Sequence, residues 1–179
     1  MIALTRILVP TNLGEPSKAA IRHGVAFARQ FKSQLFLLHV LRSEDYDAAI
    51  EAERVLEELA PDTTQPRGPS PDDVVRTVAR ADLQKLLGPQ EERDTRAEYL
   101  LRAAGSDGPR AAIAQCAREM GVELIIIGKH GLGRIEQMLG GSVTERLVRQ
   151  APCPVMIVKH PGQEFVLPDI PPPGAEPGP

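Results

Sequence analysis

The sequence predicts an α/β domain: a doubly wound, five-stranded parallel sheet with helices on both faces. Several short segments are apolar at every position, which suits a strand whose two faces are both buried. Helix-length segments separate them, the length that crossovers between parallel strands require. The densest glycine stretch of the body follows one of these strands, and in such sheets ligands sit beyond the strand C-termini, where the winding direction switches.

Taken in order, Thr5-Arg6-Ile7-Leu8-Val9-Pro10 is an apolar run stopped by proline, a buried strand that opens into a loop. Pro16 stands where the first helical residue belongs, and Ala19, Ala20, Gly24, Phe27 and Phe31 then mark one apolar helix face. Leu35-Phe36-Leu37-Leu38-His39-Val40 is the second strand. Residues 45–60 read as helix from their Ala, Glu and Leu content, and 72–95 as more helix beyond a Pro-rich surface loop, Pro61–Pro71. Glu98–Ala103 is a half-polar strand suited to a sheet edge. Gly105–Pro109 starts a helix that runs to Met120 and is closed by Gly121. Glu123–Ile127 is the fourth strand, a helix begins near Ser142, and Pro154–Val158 is the fifth.

Length and composition narrow the class. A chain of 179 residues holds one domain with a short remainder, read as a domain over 1–160, with an insertion near 60–95, and a tail over 161–179. The tail carries seven Pro and three Gly, too little apolar periodicity to offset its ordering entropy. A Phe165-Val166-Leu167 island within it can still dock on the body. A net charge of −3 and 3 % aromatic residues disfavour a nucleic-acid-binding module. No apolar run approaches the roughly 20 residues needed to span a bilayer, and the N-terminus has no secretory pattern. The expectation is a soluble cytoplasmic protein. Cys116 and Cys153 fit neither a disulfide framework nor a zinc pattern and read as small buried hydrophobes.

The segment Gly128-Lys129-His130-Gly131-Leu132-Gly133-Arg134 leads through Gly140-Gly141 to Ser142 at a helix start. Backbone N–H groups freed by glycine, with the positive end of a helix dipole, suit a phosphate. Ser142 and Thr144 offer hydroxyls to phosphate oxygens or a divalent cation, and Lys129, His130 and Arg134 add cationic groups. Read without a ligand, Ser142-x-x-Glu145 is a capping box and the glycines are turns. Neither GxxxxGK[ST] nor a GxGxxG after the first strand is present, which disfavours P-loop NTPases and Rossmann dehydrogenases.

The spacing Gly128-x2-Gly131-x9-Gly141-Ser142 resembles the glycine motif of ATP-binding universal stress proteins. Ile7–Thr11, Leu38-His39-Val40, Glu123–Gly128 and above all Gly141–Val155 are similar to that family too, so that the likeness covers roughly 4–60 and 95–160. The resemblance implies a sheet order of 3-2-1-4-5, which sets the first strand's end beside the glycine loop. It implies ATP as ligand, with Mg²⁺ held through the phosphates. Pro10, Thr11 and Asn12 then border the adenosine, and the Val40 backbone meets the adenine edge. Gly128, Gly131, Gly141, Ser142 and Val143 hold ribose and phosphates. Asn12 stands where the family usually has Asp, which keeps an acceptor, adds donors and loses a charge.

Catalysis has no support at fixed spacing. His130 and Asp107 have no visible partner, and His23 and His39 read as packed or satisfied by the backbone. The expectation is a nucleotide-responsive binding module, with slow ATP hydrolysis or phosphotransfer in the same pocket, or a nucleotide-free dimeric scaffold, as alternatives. The resemblance also implies a homodimer, for which the apolar edge strand 154–158 offers a seam.

Overall fold

The computed structural model describes residues 4–59, 68–128 and 143–158. The tail over 161–179, the first part of the loop between 60 and 71, and the glycine segment from Lys129 to Ser142 lie outside the described residues. Strands β1 (Arg6–Thr11), β2 (Gln34–Leu41), β3 (Glu98–Ala103), β4 (Leu124–Gly128) and β5 (Val155–Val158) form one sheet in the order β3-β2-β1-β4-β5. All four pairings are parallel. The half-polar strand stands at an edge, and β1 lies at the centre.

The crossovers are helical: α1 (Glu15–Phe31), α2 (Ser43–Leu59), α3 (Pro71–Gln84), α4 (Pro89–Thr95), α5 (Gly108–Glu119) and α6 (Val143–Gln150). Side chains alternate across the pleat, so the apolar strands divide their residues between two layers. Ile7, Val9, Leu35, Leu37, Leu101 and Ile126 enter one layer with Ile21, Val25 and Ala28 of α1 and Val75, Ala79 and Leu83 of α3. Leu8, Phe36, Leu38, Leu100, Ile125 and Ile127 enter the other, with Ile113, Cys116 and Ala117 of α5 and Leu147 of α6.

Three local readings are corrected. Phe31 is not on the buried face of α1: it is exposed and packs on the half-buried Phe27 ring, while Ile21, Val25 and Ala28 complete the face. The helical stretch over 72–95 is two helices, because Gly88-Pro89 interrupts it. Proline at 89 has no N–H to continue a helix but is well placed to begin one. The Pro-rich loop ends sooner than Pro71, since Ser70 caps α3 in a capping box with Asp73.

Candidate functional site

The C-terminal ends of β1 and β4 meet where the winding switches direction, and backbone chemistry parts them. Backbone groups of successive residues in a strand point to opposite neighbours. The Thr5 carbonyl accepts from Gln34 N, toward β2, and the Arg6 carbonyl from Glu123 N, toward β4. Leu8 and Pro10 therefore face β4 as Arg6 does. Pro10 has no N–H, so the rung after Leu8 cannot be completed. The register agrees: β1 pairs with β2 from Arg6–Gln34 through Thr11–His39, but with β4 only at Ile7–Leu124 and Leu8–Ile125. Beyond Leu8 and Ile125 each strand runs on, to Thr11 and to the buried Gly128.

The loop after β1 is tied down by its own side chains. Asn12 Oδ1 accepts from Gly14 N at 3.1 Å and from Ser17 Oγ at 2.7 Å, while Asn12 N donates to Ser17 Oγ. Leu13 N donates to Thr11 Oγ1, and Leu13 takes a left-handed φ of 64°. A bulky residue there is conformationally costly, and such strain collects at functional sites. The turn also delivers the N-terminus of α1 beside the parted strands. Since Oδ1 is committed to the loop, the side-chain group Asn12 can offer a ligand is its Nδ2 amide.

From β2, Val40 is buried and registers with Arg102 of β3, so its side chain belongs to the core while its backbone lies near the strand end. One residue earlier, the buried His39 bonds through Nδ1 to the Thr11 carbonyl at 3.0 Å. A carbonyl only accepts, so Nδ1 carries the proton and the ring locks the ends of β1 and β2 together. His23 is exposed, with Nδ1 on the Ala19 carbonyl.

The sheet thus brings Pro10, Thr11, Asn12, Val40 and Gly128 to one end of the molecule. Lys129, His130, Gly131, Gly133, Arg134, Gly141 and Ser142 lie outside the described residues, and Val143 and Thr144 open α6. Asp107 is exposed at the start of α5 and makes no side-chain cap. Cys116 is buried and Cys153 half-buried, and burial pushes both thiols up, away from the reactive thiolate. Ser17 and Leu13 are the residues that sequence reasoning missed. The Asn12-x-Gly14 spacing is the usable signal, since Asn bonds its own backbone two residues on.

Comparison with known proteins agrees with this geometry. The sequence model of the universal stress protein family matches residues 3–159. A putative universal stress protein of Staphylococcus epidermidis is 29 % identical over 168 residues, covering 89 % of this chain and 86 % of that one. The solved structure of MJ0577 from Methanocaldococcus jannaschii superposes with a TM-score of 0.62 at 24 % identity, over 90 % of this chain and all of the other. A universal stress protein in complex with cAMP superposes at TM-score 0.55 and 17 % identity, covering 88 % and 98 % of the two chains. One from Archaeoglobus fulgidus in complex with dAMP gives 0.50 and 18 %, covering 89 % and 100 %. With the family's sequence pattern spanning nearly the whole described body and the same sheet beneath it, the chain belongs to the universal stress protein family.

Proposed function

We propose that this chain is a cytoplasmic, nucleotide-responsive binding module of stress adaptation, and that its ligand is ATP. The observation that carries the reading is that β1 and β4 stop pairing beyond Leu8 and Ile125, where Pro10 offers no N–H, although both strands run on. The flat adenine ring would lie at these unpaired strand ends, the adenosine bordered by Pro10, Thr11 and Asn12 and the adenine edge met by the Val40 backbone. The solved relatives with cAMP and dAMP support an adenine ligand. Gly128, Gly131, Gly133, Gly141, Ser142 and Val143 would cradle ribose and phosphates with main-chain amides, and Lys129, His130, Arg134 and Thr144 would add donors. Among the described residues no three His, Cys, Asp or Glu side chains cluster as a cation site. Mg²⁺ would arrive on the phosphates, with the Ser142 and Thr144 hydroxyls as neutral donors beside it. No helix among the described residues is long and apolar enough to cross a membrane.

A ligand held only by the folded state stabilises it by about 2.7 kcal/mol at a hundredfold excess over Kd. The test is thermal unfolding with millimolar nucleotide. ATP with Mg²⁺ raises the midpoint, GTP raises it little, and Gly131→Val removes the ATP response. No shift from a well-folded sample defeats the proposal. Phosphate release in the same samples separates a binder from a slow ATPase.

We propose further that the chain pairs with a second copy along β5, whose outer edge carries Ile157 at 45 % exposure. Sedimentation over a concentration series tests it.

A further inference from the structure

We propose that the groove between α3 and the outer edge of β3 binds an extended acidic peptide of a partner protein, which adds to the sheet as a strand beyond β3. The site lies at the opposite edge from β5 and does not depend on the nucleotide reading.

β3 pairs with β2 on one side only, because it ends the sheet. Ala104 N donates to the Leu41 carbonyl, toward β2, so the alternation along the strand turns the backbone groups of Tyr99, Leu101 and Ala103 outward. The Leu101 carbonyl agrees: it accepts from Arg102 Nη1 at 3.2 Å, a side chain of its own strand. Tyr99, Leu100 and Leu101 each keep 8 % exposure, where Leu8, Leu37 and Leu38 of the inner strands keep none. Outward-facing edge groups of this kind are a template for another strand. The incoming strand replaces the bond from Arg102, which keeps its ion pair with Glu119 at 3.2 Å.

α3 walls this edge on one face of the sheet. Arg76, Thr77, Arg80 and Gln84 of α3 line, with Leu101, a groove of about 480 Å³. Their spacing of three and four residues sets them on one stripe of the helix. The charge available in that stripe is positive. Arg80 is exposed and makes no ion pair or hydrogen bond among the described residues. Arg76 gives Nε to Asp72 at 2.6 Å and keeps its Nη groups. Asp73, which also lines the groove, is turned to Ser70, from whose N–H and hydroxyl its carboxylate accepts. A guanidinium fork selects a carboxylate. The repeat lengths match as well. Residues four apart on a helix rise about 6 Å, and same-face residues two apart on a strand about 6.8 Å. Arg76 and Arg80 thus suit acidic side chains at alternate positions of an extended chain. The residues between them fall on the other face of the sheet, which Leu100 shares with the α5 layer, and are apolar.

The test uses the full chain and three labelled hexapeptides: one alternating Val and Glu, its Val and Lys counterpart, and the Val and Glu peptide with every amide N-methylated. Fluorescence anisotropy reads binding, and backbone amide exchange reads the edge. The Val and Glu peptide binds saturably and slows exchange at Tyr99, Leu101 and Ala103, while the other two peptides do not bind. Arg80→Glu, an exposed change, weakens binding about tenfold or more, and Arg80→Lys falls between it and the wild type. Binding that survives N-methylation, or that leaves those three amides exchanging freely, overturns strand addition. Equal binding of the Glu and Lys peptides, or no loss with Arg80→Glu, overturns the acidic occupant. Failure of the Val and Glu peptide to bind overturns the site. Protection of the same amides that grows with the protein's own concentration gives the edge to a second copy and overturns the peptide. No nucleotide enters these measurements, so the groove and the nucleotide site stand or fall separately.

Discussion

Ser17 Oγ both donates to the side-chain carbonyl of Asn12, at 2.7 Å, and accepts from the Asn12 backbone N–H, at 3.2 Å. One hydroxyl thus closes the loop between β1 and α1 around Asn12. Ser17 is 1 % exposed, so its hydroxyl is held in place by the packing around it. Ser17→Ala leaves the half-buried N–H and side-chain carbonyl of Asn12 without that partner and should cost about 1 kcal/mol. Asn12→Asp keeps the acceptor and places a negative charge at the N-terminus of α1, a gain of about 0.3–1 kcal/mol. Urea unfolding should therefore move in opposite directions for the two variants. If Asn12→Asp weakens the fold instead, the loss of the Nδ2 donors outweighs the added charge.

Gly24 sets how closely α1 lies on the sheet. A Cβ there would fall 2.6 Å from Val9 Cγ2 and 3.3 Å from Leu35 Cδ1. Valine is stiff at χ1 and both neighbours are fully buried, so the clash cannot be relieved by a rotamer change alone. Gly24→Ala gains about 0.5–1 kcal/mol of helix propensity and loses about 1–3 kcal/mol to overpacking. The net expectation is destabilisation. Val9→Ala makes room, so the double variant should be more stable than the sum of the single effects, a coupling that a double-mutant cycle measures.

The sheet was legible because its strands obey one simple rule. A segment buried on both faces is apolar at nearly every residue, and β1, β2, β4 and β5 begin and end within a residue of where their apolar runs do, while half-polar β3 fits an edge. The helices were harder. α1 carries apolar residues on more than one side, so spacing alone admitted Phe31 to a face that it does not occupy. Proline signals were legible as stops, but the consequence of Pro10 was not: its missing N–H matters only once β4 is known to be the neighbour on that side. The role of Ser17 was likewise hidden, since a serine near a helix start reads first as a cap. The glycine segment gave a phosphate reading through its spacing, and its residues from 129 to 142 lie outside the described structure.

Lys32 ends α1 in the left-handed region, at φ 57°, with its N–H on the Ala28 carbonyl. Glycine is the residue that adopts this conformation without steric cost, and it dominates such helix ends. The Lys32 side chain is exposed, and its carbonyl, which accepts from Arg96 Nη2, survives any substitution. Lys32→Gly should therefore stabilise the fold by about 1 kcal/mol, seen as a higher urea midpoint with an unchanged slope. A lower midpoint would mean that unfolded-state entropy outweighs the relief of strain.

Glu123 fastens the start of β1 to the start of β4. Its carboxylate accepts from the backbone N–H and the hydroxyl of Thr5 and from the backbone N–H of Arg6. These bonds, the Thr5 backbone first, with the nearby Arg6 charge, hold its carboxyl below the usual glutamate range. A depressed native pKa means that the unfolded chain binds the proton more tightly. The stabilisation is then complete above the unfolded-state value, near 4.3, and is lost as pH falls through the lower native value. Glu123→Gln removes the charge and the titration together. The wild type should exceed the variant in stability at neutral pH, and the gap should close as the solution is taken from about pH 5 toward pH 3. Unfolding midpoints of both proteins across that range check it. A gap that stays constant with pH would assign the effect to packing at the sheet's lower rim and not to the ionised carboxylate.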